Sequence, residues 1–424
     1  MNQENEPLNR QKNECLISAS SSYSTKIDDL NFVCREIFFP IYPIIKILQL
    51  PYLKFDLNHS LVQIKQSLLK KVVFFCLIVA SLACLLVSVL FMLKSTKDYL
   101  KLSKLGSHGY FYNAWKVTAI VGIVMTLILV RRSFFTTFIT KFAAYRKMDL
   151  NNGKIINTSK KYQCIKVAAL FVLLTSCGIV TSVSNYLEYS ANIEKGHFFR
   201  TSIFSQKSFY FVDCLITALA NFLTFYFLTI YMSLYWAIEG ESDNLSKQMK
   251  NLLNEDYCNE KIYQNILSLS ARNTKLMELI SLTNLNLEKY TNVIIVKSSI
   301  IIAVSISLLG AFNEESSLLE KIEFQLPVYL SVFIIICLLT PISKVHANVI
   351  EDGNTILFCS NIWSPFNSDM HITANSMIQR INVASYTGRI LLLLPANELI
   401  IPVILILTIG ITYALNYFST VLNI

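Results

Sequence analysis

Seven stretches of about twenty apolar residues, bounded by charges or by helix breakers, constrain this chain more than anything else in it. The clearest, residues 72–93 (VVFFCLIVASLACLLVSVLFML), carries no charge and is flanked by Lys70, Lys71 and Lys94. At 1.5 Å per residue it makes about 33 Å of helix, enough to cross a hydrocarbon core. Comparable runs lie at 110–130, 165–186, 209–236, 291–312, 325–343 and 399–420. In lipid the backbone must satisfy its own N–H and C=O groups, so the expected fold class is an all-α membrane protein with seven transmembrane helices. Composition agrees: of 424 residues, 53% are hydrophobic and 15% charged, with a mean hydropathy of +0.47, outside the range of ordinary soluble domains.

The net charge of +9 is spread between the apolar runs rather than gathered in one basic domain, and no nucleic-acid motif accompanies it. Topology accounts for it. The connections on the amino-terminal side (1–71, 131–166, 237–290 and 344–398) hold 27 Lys and Arg, and the opposite connections hold 8. The positive-inside rule therefore predicts a cytoplasmic amino terminus and, with seven spans, an extracellular carboxyl terminus. None of the ten cysteines falls in the expected outer loops at 94–109, 187–208 and 313–324, so no disulfide is expected there.

The spans divide the chain. Residues 1–30 are polar and are expected to form a mobile cytoplasmic amino terminus. Residues 31–69, interrupted by Pro40, Pro43 and Pro51, suit an interfacial pre-helix. Spans one to four occupy 70–236, spans five and six 291–343, and the last span 399–424. Between them, 237–290 places Ile262, Ile266, Leu269, Leu276, Ile280 and Leu287 on alternating four- and three-residue steps, interrupted by the polar Asn273 and Thr283. That spacing predicts a long cytoplasmic extension of the fifth helix, either a packed hairpin or part of an assembly region. Residues 344–398 read as a cytoplasmic linker with Gly353 and Pro365 as breakers and Trp363 as an anchor, followed by a helix from Met370 to Ala384.

The last span is unusual. Thr408, Thr412, Asn416 and Ser419 fall within about 80° of one another around a helix turning 100° per residue. Such a stripe faces either a neighbouring helix or water.

Near the carboxyl end stand Gly388, an apolar run and Thr412-Tyr413, and with seven spans and a cytoplasmic amino terminus these features resemble invertebrate gustatory receptors and their gustatory receptor-like relatives. That family closes with Thr-Tyr, five hydrophobic residues and Gln-Phe. Here Asn416 interrupts the five, and Ser419-Thr420 stands in place of Gln-Phe. The resemblance implies a chemosensory, ligand-gated, non-selective cation channel of the plasma membrane. It also implies a homotetramer, or a hetero-tetramer with related subunits, whose terminal helices line a central pore and whose cytoplasmic extensions form the subunit contact.

On that reading Thr408, Thr412, Asn416 and Ser419 line the pore, with Leu405, Ile409 or Leu415 as the gate. Tyr413 and Phe418 pack behind the pore. Glu398 stands at its mouth, where an acidic residue equally complements a helix N-terminus. Lys116 and Asp213 are ionisable residues inside spans; Lys297, in the inner part of span five, is read as snorkelling or paired. With Tyr112, Trp115, Tyr186, Phe209, Tyr210 and Tyr329, Lys116 and Asp213 make either a pocket for a small-molecule ligand or an interfacial aromatic belt. The five histidines lack metal-ligand spacing and no nucleophile or phosphate motif is present, so neither an enzyme, a metal site nor a cofactor is expected. The expected partners are the ligand, cations and the bilayer, not nucleic acid. The alternatives are a metabotropic seven-helix receptor, which needs an outside amino terminus, and a secondary transporter, which favours internal repeats.

Overall fold

The computed structural model describes residues 32–39, 41–48, 79–87, 89, 104–148, 158–193, 210–254, 259–311, 318–364, 367–383, 389–390, 394–395 and 399–421. Two short helices, α1 (32–37) and α2 (Tyr42–Leu48), precede α3 (79–87). The body is α4 (Lys104–Arg131), α5 (Phe134–Arg146), α6 (Thr158–Ile193), α7 (Tyr210–Asn254), α8 (Asn259–Ala311) and α9 (Leu318–Phe358). After it come α10 (Ser360–Trp363), α11 (Ser368–Val383), a two-residue hairpin of β1 (Arg389–Ile390) and β2 (Leu394–Pro395), and α12 (Ile400–Val421). The hairpin pairs Arg389 with Pro395 and Ile390 with Leu394.

Among the described residues, five helices are long and apolar enough to cross a membrane: within α4, α6, α7, α8 and α9. A shorter apolar helix spans Ile400–Ala414. The first expected span lies largely outside the described residues, though 79–87 are helical. This is the architecture of a multi-pass membrane protein.

Helix length follows from buried periodicity. In α8, which runs for 53 residues, the six seam positions Ile262, Ile266, Leu269, Leu276, Ile280 and Leu287 are all buried. The polar interruptions Asn273 and Thr283 are buried with them, and the Thr283 hydroxyl donates to the Leu279 carbonyl at 2.8 Å, satisfying itself within the helix. The seam packs against both α7 and α9.

Three features depart from expectation. The link 131–166 holds a helix, α5, which buries Phe134, Phe135, Phe138, Ile139 and Phe142 at helical spacing; its flanking arginines and lysines masked that periodicity. α9 runs through Gly353 to Phe358 instead of breaking there. A Cβ at 353 would stand 3.2 Å from Ile381 Cγ2, so this glycine lets α11 approach α9 closely. The segment expected at the membrane surface instead buries Val33, Cys34, Ile37 and Phe38 in the core.

α11 begins as its sequence indicates, slightly before the expected Met370. The Asn367 Oδ1 accepts from the amides of Asp369 and Met370, both at 3.1 Å, and caps the first turn. Met370, Ala374, Met377 and Ile381 then form its buried face. Trp363 does anchor this region: its Nε1 donates to the Ile356 carbonyl at 3.1 Å, and its ring lies 5.1 Å from that of His371.

Leu276→Ala in the α8 seam should cost about 2–5 kcal/mol, whereas Ser281→Ala on the exposed side should stay within about 0.5 kcal/mol. Thermal unfolding of the purified protein checks the contrast.

Candidate functional site

The middle of the bundle collects the polar groups that the apolar runs carry. Trp115 and Lys116 on α4 are both buried. Thr224 on α7 donates to the Trp115 carbonyl at 3.2 Å, and Thr118 donates to the Ala114 carbonyl at 2.7 Å. Lys297 on α8 sets its Nζ 3.8 Å from the centroid of the Trp115 ring. That cation–π contact is strongest where water is excluded, and it fixes where the lysine goes. Lys297 is therefore paired, through its contact with the Trp115 ring, rather than snorkelling.

Of the eight residues expected to meet a ligand, Trp115 and Lys116 are inside the bundle, whereas Tyr186 is 50% exposed and Tyr329 61% exposed. Tyr112, Tyr210 and Asp213 lie on helices, but their side chains are outside the described residues, as is the whole of Phe209.

A groove of about 350 Å³ lies instead between α6 and α7. Phe171 and Phe225 close one part of it edge to face, with centroids 5.4 Å apart, and Ser182, Thr217 and Asn221 add polar atoms. The volume suits a small organic molecule. Asn221 is 9% exposed, and its Oδ1 accepts no hydrogen bond. Opposite it stands Gly178, where a Cβ would lie 2.2 Å from Asn221 Nδ2. Glycine is what lets the amide lie across the helix contact. In the sequence this site shows only as a Gly and an Asn inside two apolar runs.

α12 packs on α8 and α9 through Ile400, Ile404, Thr408 and Thr412, all buried. Thr408 Oγ1 donates to the Ile404 carbonyl at 2.7 Å and Thr412 Oγ1 to the Thr408 carbonyl at 2.9 Å. Bonded back to their own helix, these hydroxyls tolerate a dry contact, so this part of the stripe faces the chain's own bundle rather than open space. The uncovered face of α12 carries Ile406, Ile409, Gly410 and Tyr413, so Tyr413 does not pack behind anything in this chain. Leu405 is intermediate between the two faces. Leu415, Asn416, Phe418 and Ser419 continue the helix with side chains outside the described residues, and Glu398 lies outside them altogether.

Comparison with known proteins places the chain as follows. The model of a family described as Caenorhabditis protein of unknown function, DUF267, matches residues 46–410. No curated protein matches the sequence. Among solved structures, the chain is similar to the insect olfactory receptor OR5 of Machilis hrabei in complex with eugenol, with a TM-score of 0.64 and 11% identity over 89% of this chain and 98% of that one. The same receptor solved without eugenol matches with a TM-score of 0.57 and 12% identity, over the same shares of both chains. The fold is that of insect olfactory receptors.

Gly178→Ala should displace the Asn221 amide and destabilise the α6–α7 contact by about 1–3 kcal/mol. Adding Asn221→Ala should recover much of that loss, a non-additivity of at least about 0.5 kcal/mol in thermal unfolding.

Proposed function

The chain belongs to the DUF267 family, and from that membership and its olfactory-receptor fold we propose that it is one subunit of a chemosensory, ligand-gated cation channel. The observation that carries this reading is near-complete coverage of an olfactory receptor that holds a small aromatic molecule, eugenol, in its solved complex. The charge bias of the connections supports a cytoplasmic amino terminus, seven crossings and an extracellular carboxyl terminus in the plasma membrane. An outside amino terminus, which a metabotropic receptor requires, runs against that bias.

Four copies, of this chain alone or with related subunits, surround a cation path, with α12 of each beside the axis. The ends of α7, α8 and α9 beyond the membrane form the assembly contact. Thr408 and Thr412 hold α12 to its own subunit. The line along Leu405, Ile409 and Asn416 lies at the edge of the uncovered face, since Ile409 and Asn416 are two turns apart and within about 20° of each other. Ile409 closes the path by dewetting, and Asn416 offers an amide to a partly dehydrated cation. The small-molecule ligand occupies the α6–α7 groove and opens the channel only to the extent that it binds the open state better. Gustatory identity, as distinct from chemoreception in general, rests on Thr412-Tyr413 and the topology.

Whole-cell recording tests this. Ile409→Ala should raise the standing cation current several-fold, Asn416→Ala should alter permeability ratios, and Thr408→Val should change neither. Absence of current despite surface expression, with an amino-terminal epitope accessible from outside, would overturn the channel reading.

A further inference from the structure

The α6–α7 groove has a rim and a floor of different character. Its rim is exposed: Phe171, Ile179 and Val183 on α6 and Phe222 on α7 are 51%, 58%, 43% and 39% exposed. Its floor is buried and holds Gly178, Thr217 and Asn221. Gly178 and Asn221 stand at least about eight residues, or about 12 Å of helix, from either end of the apolar runs 165–186 and 209–236. At that depth an exposed side chain meets hydrocarbon and not water. The groove therefore opens sideways into the bilayer.

Two properties of the groove narrow what occupies it. None of its described lining residues is acidic, basic or a histidine, so an ion entering it would shed its water without gaining a counter-charge. The other property is the Asn221 amide. Its Oδ1 is enclosed in the helix contact, whereas its Nδ2 lies against Gly178 on the floor and meets no acceptor among the described residues. An acyl chain from the surrounding lipid would fill the apolar part of the groove and leave that N–H unmatched, which is costly away from water. An otherwise apolar molecule with one oxygen acceptor meets both demands.

Taking the groove as the ligand site of the proposed channel, we propose that the ligand is an uncharged, lipid-soluble molecule that enters from the bilayer and whose oxygen accepts from Asn221 Nδ2. Sugars, amino acids and permanently charged amines do not fit such a site. Its natural solvent is the membrane, so the concentration that sets occupancy is the one dissolved in lipid.

Photolabelling of the purified full chain tests this, in nanodiscs whose phosphatidylcholine carries a diazirine midway along one acyl chain, with the adducts mapped by peptide mass spectrometry. The competitors are menthone, a terpenoid ketone, p-menthane, the same skeleton without oxygen, and menthyltrimethylammonium, which is permanently charged. Lipid adducts should fall on the groove segments 171–183 and 214–225. Menthone should suppress them at a concentration about three- to tenfold lower than p-menthane, the scale of one hydrogen bond, and the charged analogue should not compete. Asn221→Leu, close in size, should keep the adducts and erase the preference for the ketone. Ala218→Trp, which fills the groove from its exposed side, should reduce the adducts themselves. Absence of adducts on these segments in wild type, equal competition by menthone and p-menthane, or a ketone preference that survives Asn221→Leu would overturn the proposal. Adducts that persist at saturating menthone would make lipid the occupant and overturn it as well. The labelling is read without any current: menthone competition in a chain that never conducts would count against the channel alone, and menthone-evoked current with unsuppressed adducts against this site alone.

Discussion

Everything in this molecule leans on the burial of one side of α8, a helix that passes through two solvents with a single seam. Below the membrane level, Ile262, Ile266, Leu269, Leu276 and Ile280 are buried by the hydrophobic effect, as in any water-soluble bundle. Further along, lipid is as apolar as leucine and that driving force disappears. There the buried side mixes Ile294, Ile301 and Leu308 with the small residues Ser298, Ala303 and Ser305, and packing rather than exclusion of water holds it. The helix is continuous, yet the source of its stability changes along its length.

The changeover is marked by tyrosines. Tyr231 stacks on Tyr290 with centroids 3.9 Å apart, and its hydroxyl meets Thr126 at 3.2 Å. One turn further along α7, Tyr235 meets Thr291 at 3.2 Å. A phenol buries an aromatic body and still needs a partner for its hydroxyl, so each pair ties α7 to α4 or α8 at a defined height. Deeper in the extension, Arg272 performs the same service, its guanidinium 5.3 Å from the centre of the Tyr145 ring and bonded to Gln248. These polar contacts hold the register that apolar packing alone leaves loose.

How much of this could be read from the sequence depended on whether a signal was periodic or pairwise. The α8 seam was legible because its steps of three and four survive over many turns, and all six named positions are buried. The α5 pattern was equally periodic but short and embedded among basic residues. Pairwise facts were not legible. Nothing in the chain's order says that Lys297 meets Trp115, that Gly178 faces Asn221, or that Gly353 faces Ile381. Thr408 and Thr412 share one face of α12, as their spacing indicates, but that face meets the chain's own bundle, because a threonine bonded to its own helix looks, in sequence, the same as one waiting for water.

The 53 residues of α8 also have a mechanical meaning. At 1.5 Å per residue the helix is about 80 Å long, so a tilt of only 5° about one end sweeps the other through about 7 Å. Such a rod is a lever: a tilt that barely moves the residues beside the pivot carries those at the far end through several ångströms.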